Sequence, residues 1–265
     1  MNALFYPVSD TAQIVKRNVK RNFRIPQLLI FSSIQPVIFL LLFNYVFGGA
    51  VSGGNQKDYI NFLLPGILAQ TALFGAIQTG VGLAEDLGKG VIDRLRSLPI
   101  ARSAVLTGRT IADAVRNLFV MILMLTVGSL LGFRFTEGPI KAIAGVALIL
   151  AFAFAFSWVS AVIGLLLKDS ETVQVAGFLW VFPLVFASAV FVPVATMPDW
   201  LQVFARNQPV TQVVNAVRYL MRGSVENGGA YVWHTLIWIV AIIAVFANPN
   251  ISMRFGWVWV YTELF

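Results

Sequence analysis

Side chains able to do chemistry are scarce in this sequence, and the few present are badly spaced for catalysis. There is one histidine, His234, and no cysteine. Disulfides and thiolate metal sites are thereby excluded. A lone histidine beside Trp233, at the start of an apolar run, reads as a structural group rather than a base or a ligand. Asp113 and Arg116 stand one helical turn apart at the start of another apolar run, where the simplest reading is that they pair with each other. A proton relay would need ionisable groups deep inside the runs, and none occurs there. The string GLAEDLGKG (82–90) invites comparison with a phosphate-binding loop of the form G-x-x-x-x-G-K-[S/T]. Here five residues separate Gly82 from Gly88, and Gly90 follows Lys89. The chain is therefore expected to bind no ATP, and no metal, itself.

Two other groups of polar residues carry more information. Gln35, Asn44, Gln70, Gln78, Ser157, Ser160 and Gln174 interrupt the apolar runs. They read either as a polar-dotted pathway between helices or as hydrogen bonds between them, and both readings stay open. The second group is GKGVIDRLRSLPIARSAVLTGR (88–109), a charged segment between two apolar runs with five basic residues: Lys89, Arg94, Arg96, Arg102 and Arg109.

The elements that would position these residues follow from composition. Of 265 residues, 58% are hydrophobic and 12% charged, and the mean hydropathy is +0.80. A soluble domain carries about a quarter charged residues, so the chain is read as an all-α integral membrane protein. Six apolar runs stand out: Leu28–Phe47, Tyr59–Ala84, Thr110–Phe133, Pro139–Leu167, Val173–Val194 and Tyr231–Phe246. About 20 helical residues cross a hydrocarbon core. The first five runs qualify, and the sixth is short unless it continues through Asn248-Pro249-Asn250. The first run is about twice a signal-peptide core in length and is read as a span, not a leader. The net charge of +7 flanks the runs, which points to topology and lipid headgroups rather than nucleic acid.

Lys16, Arg17, Lys20, Arg21, Arg24, the five basic residues of 88–109 and Lys168 fall on one side of the membrane, and Lys57, Arg134, Lys141, Arg206, Arg218 and Arg222 on the other. This asymmetry predicts that both termini and the 88–109 segment are cytoplasmic. Three segments outside the runs look structured. Residues 8–24 put Val8, Ala12, Val15, Val19 and Phe23 on one stripe with the basic residues around it, the pattern of a helix lying in the membrane interface. The outer loop 195–230 holds two short amphipathic pieces split at Pro209, with Gly223 placed as a C-cap, and both are expected to dip into the outer leaflet. In the charged segment, Val91, Leu95 and Leu98 share a face, Asp93, Arg94 and Arg96 lie elsewhere, Glu85 and Lys89 form an i, i+4 pair, and Pro99 ends the helix. Gly128 and Gly132 form a GxxxG, which usually marks close helix packing. The string FAFAFSW (152–158) is read as packing or lipid contact rather than a ligand cage, and Pro36 and Pro183 as possible kinks.

Three stretches, YINFLLPGILAQT (59–71), KGVIDRLRSLPIARSAVLTGR (89–109) and FVPVATMPDWLQVFARNQPVTQVVNAVRYL (191–220), resemble the ABC-2 type transporter permeases, in particular the daunorubicin-resistance group of actinobacterial exporters. The likeness runs from about residue 10 to residue 246 with the motifs in order. It implies six transmembrane helices, an N-terminal interfacial helix (1–26) and a membrane domain (27–265) with a coupling-helix loop (85–109) and re-entrant helices in the last outer loop. It also implies a dimer of membrane subunits, a homodimer in the reading favoured here, above separate ATPase subunits that hold ATP and Mg. Glu85, Gly90, Val91, Asp93, Arg94, Leu95, Arg96, Leu98 and Pro99 would then dock in an ATPase groove. Val15, Lys16, Arg17, Val19, Lys20, Arg21, Phe23 and Arg24 would lie at the membrane interface. The expected function is ATP-driven export of hydrophobic or amphiphilic compounds, drugs or antibiotics first and lipids or glycolipids second, across a bacterial inner membrane. An ATPase-independent channel or carrier, or a membrane enzyme, would need mid-membrane charges or clustered catalytic groups. The tail ANPNISMRFGWVWVYTELF, with Arg254 its one basic residue, departs from the short basic end of that family.

Overall fold

The computed structural model describes residues 26–51, 56–90 and 102–246. Among them every regular element is helical: α1 (Pro26–Val51), α2 (Gln56–Gly88), α3 (Arg102–Leu130), α4 (Pro139–Leu167), α5 (Ser170–Phe186), a 3₁₀ turn (Val194–Thr196), α6 (Asp199–Asn207), α7 (Pro209–Arg222) and α8 (Gly228–Phe246). The expected interfacial helix 8–24 and the tail after Phe246 lie outside the described residues. The end of the bundle that leads into 91–101 is called inner below, and the end bearing α6 and α7 outer.

The centre of the bundle is α2, against which α1, α3, α4, α5 and α7 all pack. Its sequence explains this position. Ile60, Leu63, Leu64, Ile67, Leu68, Leu73 and Ile77 are apolar on every side and fully buried, as a helix surrounded by other helices requires. Its small residues let neighbours approach. A Cβ on Gly80 would meet the carbonyl of Ser160, and one on Gly164 the backbone of Gly80, so α2 and α4 touch backbone to backbone. The small pair that brings helices together is thus Ser160 and Gly164. In the expected GxxxG, Gly128 packs tightly on Leu64 of α2. Gly132 has φ 108° and ends α3: Phe133 N donates to Gly128 O at 2.8 Å and Gly132 N to Ser129 O at 3.2 Å, a Schellman cap.

Four helices are long and apolar enough to cross a membrane, Tyr59–Gly88, Thr110–Leu130, Pro139–Leu167 and Gly228–Phe246, and two shorter apolar helical stretches, Ser33–Gly49 and Ser170–Phe186, accompany them. Several boundaries differ from those of the apolar runs. The sixth run gains a turn at its start. The fifth ends early: its helix stops at Phe186, with Ala187 N capping on Pro183 O at 3.0 Å, and 187–193 is turn. This apolar stretch is buried in protein, a position that hydropathy does not separate from lipid contact. Between α4 and α5 the chain reverses in two residues. Lys168 takes a left-handed φ of 56°, and Asp169 caps α5 by accepting from Thr172 N at 2.8 Å and Thr172 Oγ1 at 2.6 Å.

The two outer pieces split at Pro209, and Gly223 is the left-handed cap of α7, both as expected. They differ in exposure, however. On α6, Trp200, Val203 and Phe204 are exposed. On α7, Val210, Val213, Val214, Ala216, Val217 and Met221 are fully buried against α8, α4 and α2. Helix α8 buries a stripe, Thr235, Ile239 and Ile242, and exposes Trp233, Ile237 and Val240.

Candidate functional site

At the inner end, α2 continues through Glu85 to Gly88, and Gly90 follows with φ 63°. Glu85 thus lies in the last turn of α2, and the left-handed Gly90 follows the end of that helix. Helix α3 starts at Arg102, well before the apolar run at Thr110. Glu85 and Lys89 form the expected pair at 3.3 Å, largely exposed. Val91, Asp93, Arg94, Leu95, Arg96, Leu98 and Pro99 lie outside the described residues.

Just above this end sits a buried polar cluster. Thr79 Oγ1 of α2 donates to Asp113 Oδ2 of α3 at 2.8 Å and lies 3.4 Å from Ser157 Oγ of α4. Arg116 pairs with the other carboxylate oxygen of Asp113 at 3.3 Å, as the spacing implied. One turn farther out, Asn117 occupies the space a side chain at Gly75 would need. Three helices are therefore cross-linked around one ion pair, and the threonine that bridges them carried no sequence signal of its own.

The seven polar residues that interrupt the apolar runs do not share one surface. Ser157 and Ser160 face the close contact between α4 and α2, and Ser157 Oγ also donates to Ala153 O at 2.9 Å. Asn44 and Gln70 are buried, each with its side-chain carbonyl oxygen unpaired. Gln35 and Gln78 are exposed, as is Gln174. Gln78 lies on a strip of α2 between Phe74, which meets Phe178 and Phe182 of α5, and Gly75, which meets Asn117 of α3. The contacts of Phe74 with Phe178 and of Ile77 with Gly177 set an antiparallel register that brings Gln78 and Gln174 to nearly the same level. From there an aromatic series runs outward through Phe178, Phe182 and Phe186 to Phe191, which stacks on Phe43 of α1 at 4.3 Å. The FAFAFSW aromatics serve packing: Phe152 and Phe156 are buried, and Phe156 stacks on Trp180.

The outer end is organised by a residue that the charge count had left among the loop cations. Arg218 of α7 is only 4% exposed. Its guanidinium donates to Phe62 O of α2 (Nε 3.0 Å, Nη2 2.9 Å), to Ala189 O at 2.7 Å, to Val190 O at 3.5 Å and to Asn215 Oδ1 at 3.1 Å, and it lies 3.6 Å over the Phe62 ring. Burial pulls its pKa below the ordinary arginine value. Around it other side chains serve the last turn of α5 and the non-helical run after it. Tyr59 Oη donates to Phe191 O at 3.0 Å, Gln208 Nε2 to Leu184 O at 3.0 Å, and Ala189 N to Thr211 Oγ1 at 3.1 Å. Non-helical backbone at membrane depth is stable only when satisfied in this way. The signal available in the sequence was a charge on an apolar stripe: Val214, Arg218 and Met221 share one face of α7.

Among the described residues no group of three or more His, Cys, Asp or Glu gathers closely enough to hold a metal ion. What the arrangement offers is a buried central helix, polar cross-links at both ends and an aromatic strip with exposed glutamines between them.

Known proteins share this sequence pattern. The chain is 35% identical over 199 residues to a daunorubicin resistance ABC transporter permease of Streptomyces coeruleorubidus, covering 75% of this chain and 70% of that protein. It is 29% identical over 216 residues to a probable doxorubicin resistance ABC transporter permease of Mycobacterium tuberculosis, covering 81% and 76%. A putative transport permease of Cyanophora paradoxa is 28% identical over 225 residues, covering 82% and 75%. Residues 10–221 match the ABC-2 type transporter family. The chain is a multi-pass membrane permease and belongs to that family.

Proposed function

We propose that this chain is the membrane subunit of an ATP-driven exporter that moves hydrophobic or amphiphilic aromatic compounds, drugs or antibiotics among them, outward across a bacterial inner membrane. In this reading the chain crosses six times, and the Lys and Arg asymmetry supports a cytoplasmic side for both termini and the 91–101 segment. A separate ATPase holds ATP and Mg and receives that segment in a groove. ATP binding closes the ATPase pair, and the hairpin of α2 and α3, pinned by Thr79 and Asp113, moves as one body.

The observation that carries the substrate class is the exposed strip bearing Gln78, Gln174 and the phenylalanines of α5. Flat apolar compounds stack on such rings, and a glutamine offers both a donor and an acceptor at their polar edge. The same strip supports a second copy of the chain as partner. An amide facing hydrocarbon without a partner costs roughly 2 kcal/mol or more. The faces of α1 and α5 that expose Gln35 and Gln174 therefore turn toward protein or a water-filled path. The exposed face of α8, with Trp233, Ile237 and Val240, suits lipid. The names of the relatives favour drugs over lipids or glycolipids as cargo.

The test is co-reconstitution with the candidate ATPase in inverted vesicles. ATP-dependent uptake of daunorubicin, measured by fluorescence, is expected, with loss of uptake in Gln78→Leu while ATPase activity persists. Uptake that proceeds without the ATPase would sink the exporter reading in favour of a carrier.

A further inference from the structure

Arg218 is a buried cation whose contacts among the described residues include no carboxylate. Its partners are carbonyls of two separate elements, α2 at Phe62 and the turn 187–193 at Ala189 and Val190, while Arg218 itself stands on a third, α7. The turn also lies directly on α2, since a Cβ on Gly66 would collide with the backbone of Val190. Three elements are thus closed upon each other at the outer end by one planar fork, by the Tyr59 hydroxyl, and by Gln208 and Thr211 at the start of α7.

This is an unusual way to build a permanent seam. Burying a charge with no opposite charge is costly, and here that cost is set against the carbonyls of Phe62, Ala189 and Val190, which an apolar side chain would leave unpaired. The arrangement makes sense if the seam must open. Two apolar faces drawn apart lose their contacts and regain nothing, whereas a guanidinium and the carbonyls it held regain hydration as soon as water enters. The carbonyls of 189 and 190 are also available because α5 has already unwound, so release requires no helix to melt.

We propose that Arg218 is the positioning residue of a latch that holds α7 and the 187–193 turn against α2 at rest, and that its release opens the outer end. The consequence for transport rests on the exporter reading. The closure itself does not.

The sequence contains no cysteine, so Val190→Cys supplies a unique thiol at a fully buried position. Labelling by a membrane-impermeant maleimide, applied separately to right-side-out and inverted vesicles holding the permease alone, reads the latch directly. Slow labelling is expected with Arg218 present. In Arg218→Gln the rate should rise about tenfold or more from the outer side, equivalent to about 1.4 kcal/mol of lost closed-state preference. Arg218→Lys, which keeps the charge without the fork, should fall between. In the complete transporter, ATP-driven turnover should raise labelling of Val190→Cys with Arg218 intact, a change that a purely structural role would not produce. An unchanged rate in membrane-inserted Arg218→Gln overturns the latch. If that variant does not accumulate, protection of Val190→Cys throughout turnover overturns it instead. Failure to find any ATP-driven turnover would count against the exporter alone, because the comparison in the isolated permease still decides the latch.

Discussion

The hydroxyl of Thr79 on α2 donates to the carboxylate of Asp113 on α3 at 2.8 Å, nine residues, or about 13 Å, inside the inner end of α2. The two helices that flank the 91–101 segment are thereby joined above it, and Arg116 balances the carboxylate charge. A push on that segment reaches α2 and α3 together, and α4 with them through Ser157.

Removing the carboxylate should therefore cost more than removing the hydroxyl. Asp113→Ala leaves Arg116 mostly buried and without its partner, and about 3 kcal/mol of stability is expected to go. Thr79→Val deletes one hydrogen bond to a charged group, worth about 1.5 kcal/mol. Thermal unfolding of the detergent-solubilised chain ranks the two, and equal losses would remove the ion pair from the explanation.

The backbone contact of α2 and α4 leaves no room for a side chain. Gly164→Leu and Gly80→Val are expected to destabilise by about 3 kcal/mol or to prevent folding. Gly49→Ala and Gly229→Ala, where nothing lies within 4 Å of the added carbon, serve as controls with little effect. Expression level and monodispersity on size exclusion distinguish these outcomes.

Asp169 sets a pH dependence. The hydroxyl of Thr172, and after it the Thr172 backbone N–H, hold its carboxyl below the ordinary carboxylate range. A lowered folded-state pKa adds stability above the unfolded value of about 3.9, and that stability is lost as pH falls through the folded value. Asp169→Ala should accordingly be less stable than the wild type at neutral pH, and the gap should close in strong acid. A gap independent of pH, followed by thermal shift, would assign the loss to geometry alone.

Arg94→Glu combined with Arg96→Glu should abolish binding to the ATPase and ATP-driven export while leaving the chain in the membrane, since a reversed charge repels a partner surface built for cations. Co-purification with the candidate ATPase decides this. A variant complex as stable as the wild type would mean that the contact lies elsewhere.

Much of this protein could be read from local patterns. The apolar runs, the split at Pro209, the cap at Gly223 and the pairs Glu85–Lys89 and Asp113–Arg116 depend on neighbours within a few helical turns, and that is the range over which residue spacing carries information. Helix ends were harder, because a run such as Ala187–Phe191 has the same hydropathy whether lipid or protein surrounds it.

Only the tertiary structure could decide which apolar surface faces which neighbour. The sequence by itself determined that the chain is a helical membrane protein, because its continuous apolar runs have the length of a membrane-crossing helix and lack the short alternating pattern of a barrel strand. It did not determine that α7 is buried while α6 is exposed, that Gly132 ends a helix while Gly164 joins two, or that Arg218 leaves the loop to hold Phe62, 156 residues away. Lipid tails and packed side chains are equally apolar solvents, so hydropathy is blind to the choice between them. The fork of Arg218 is satisfied only by carbonyls that other elements bring to it.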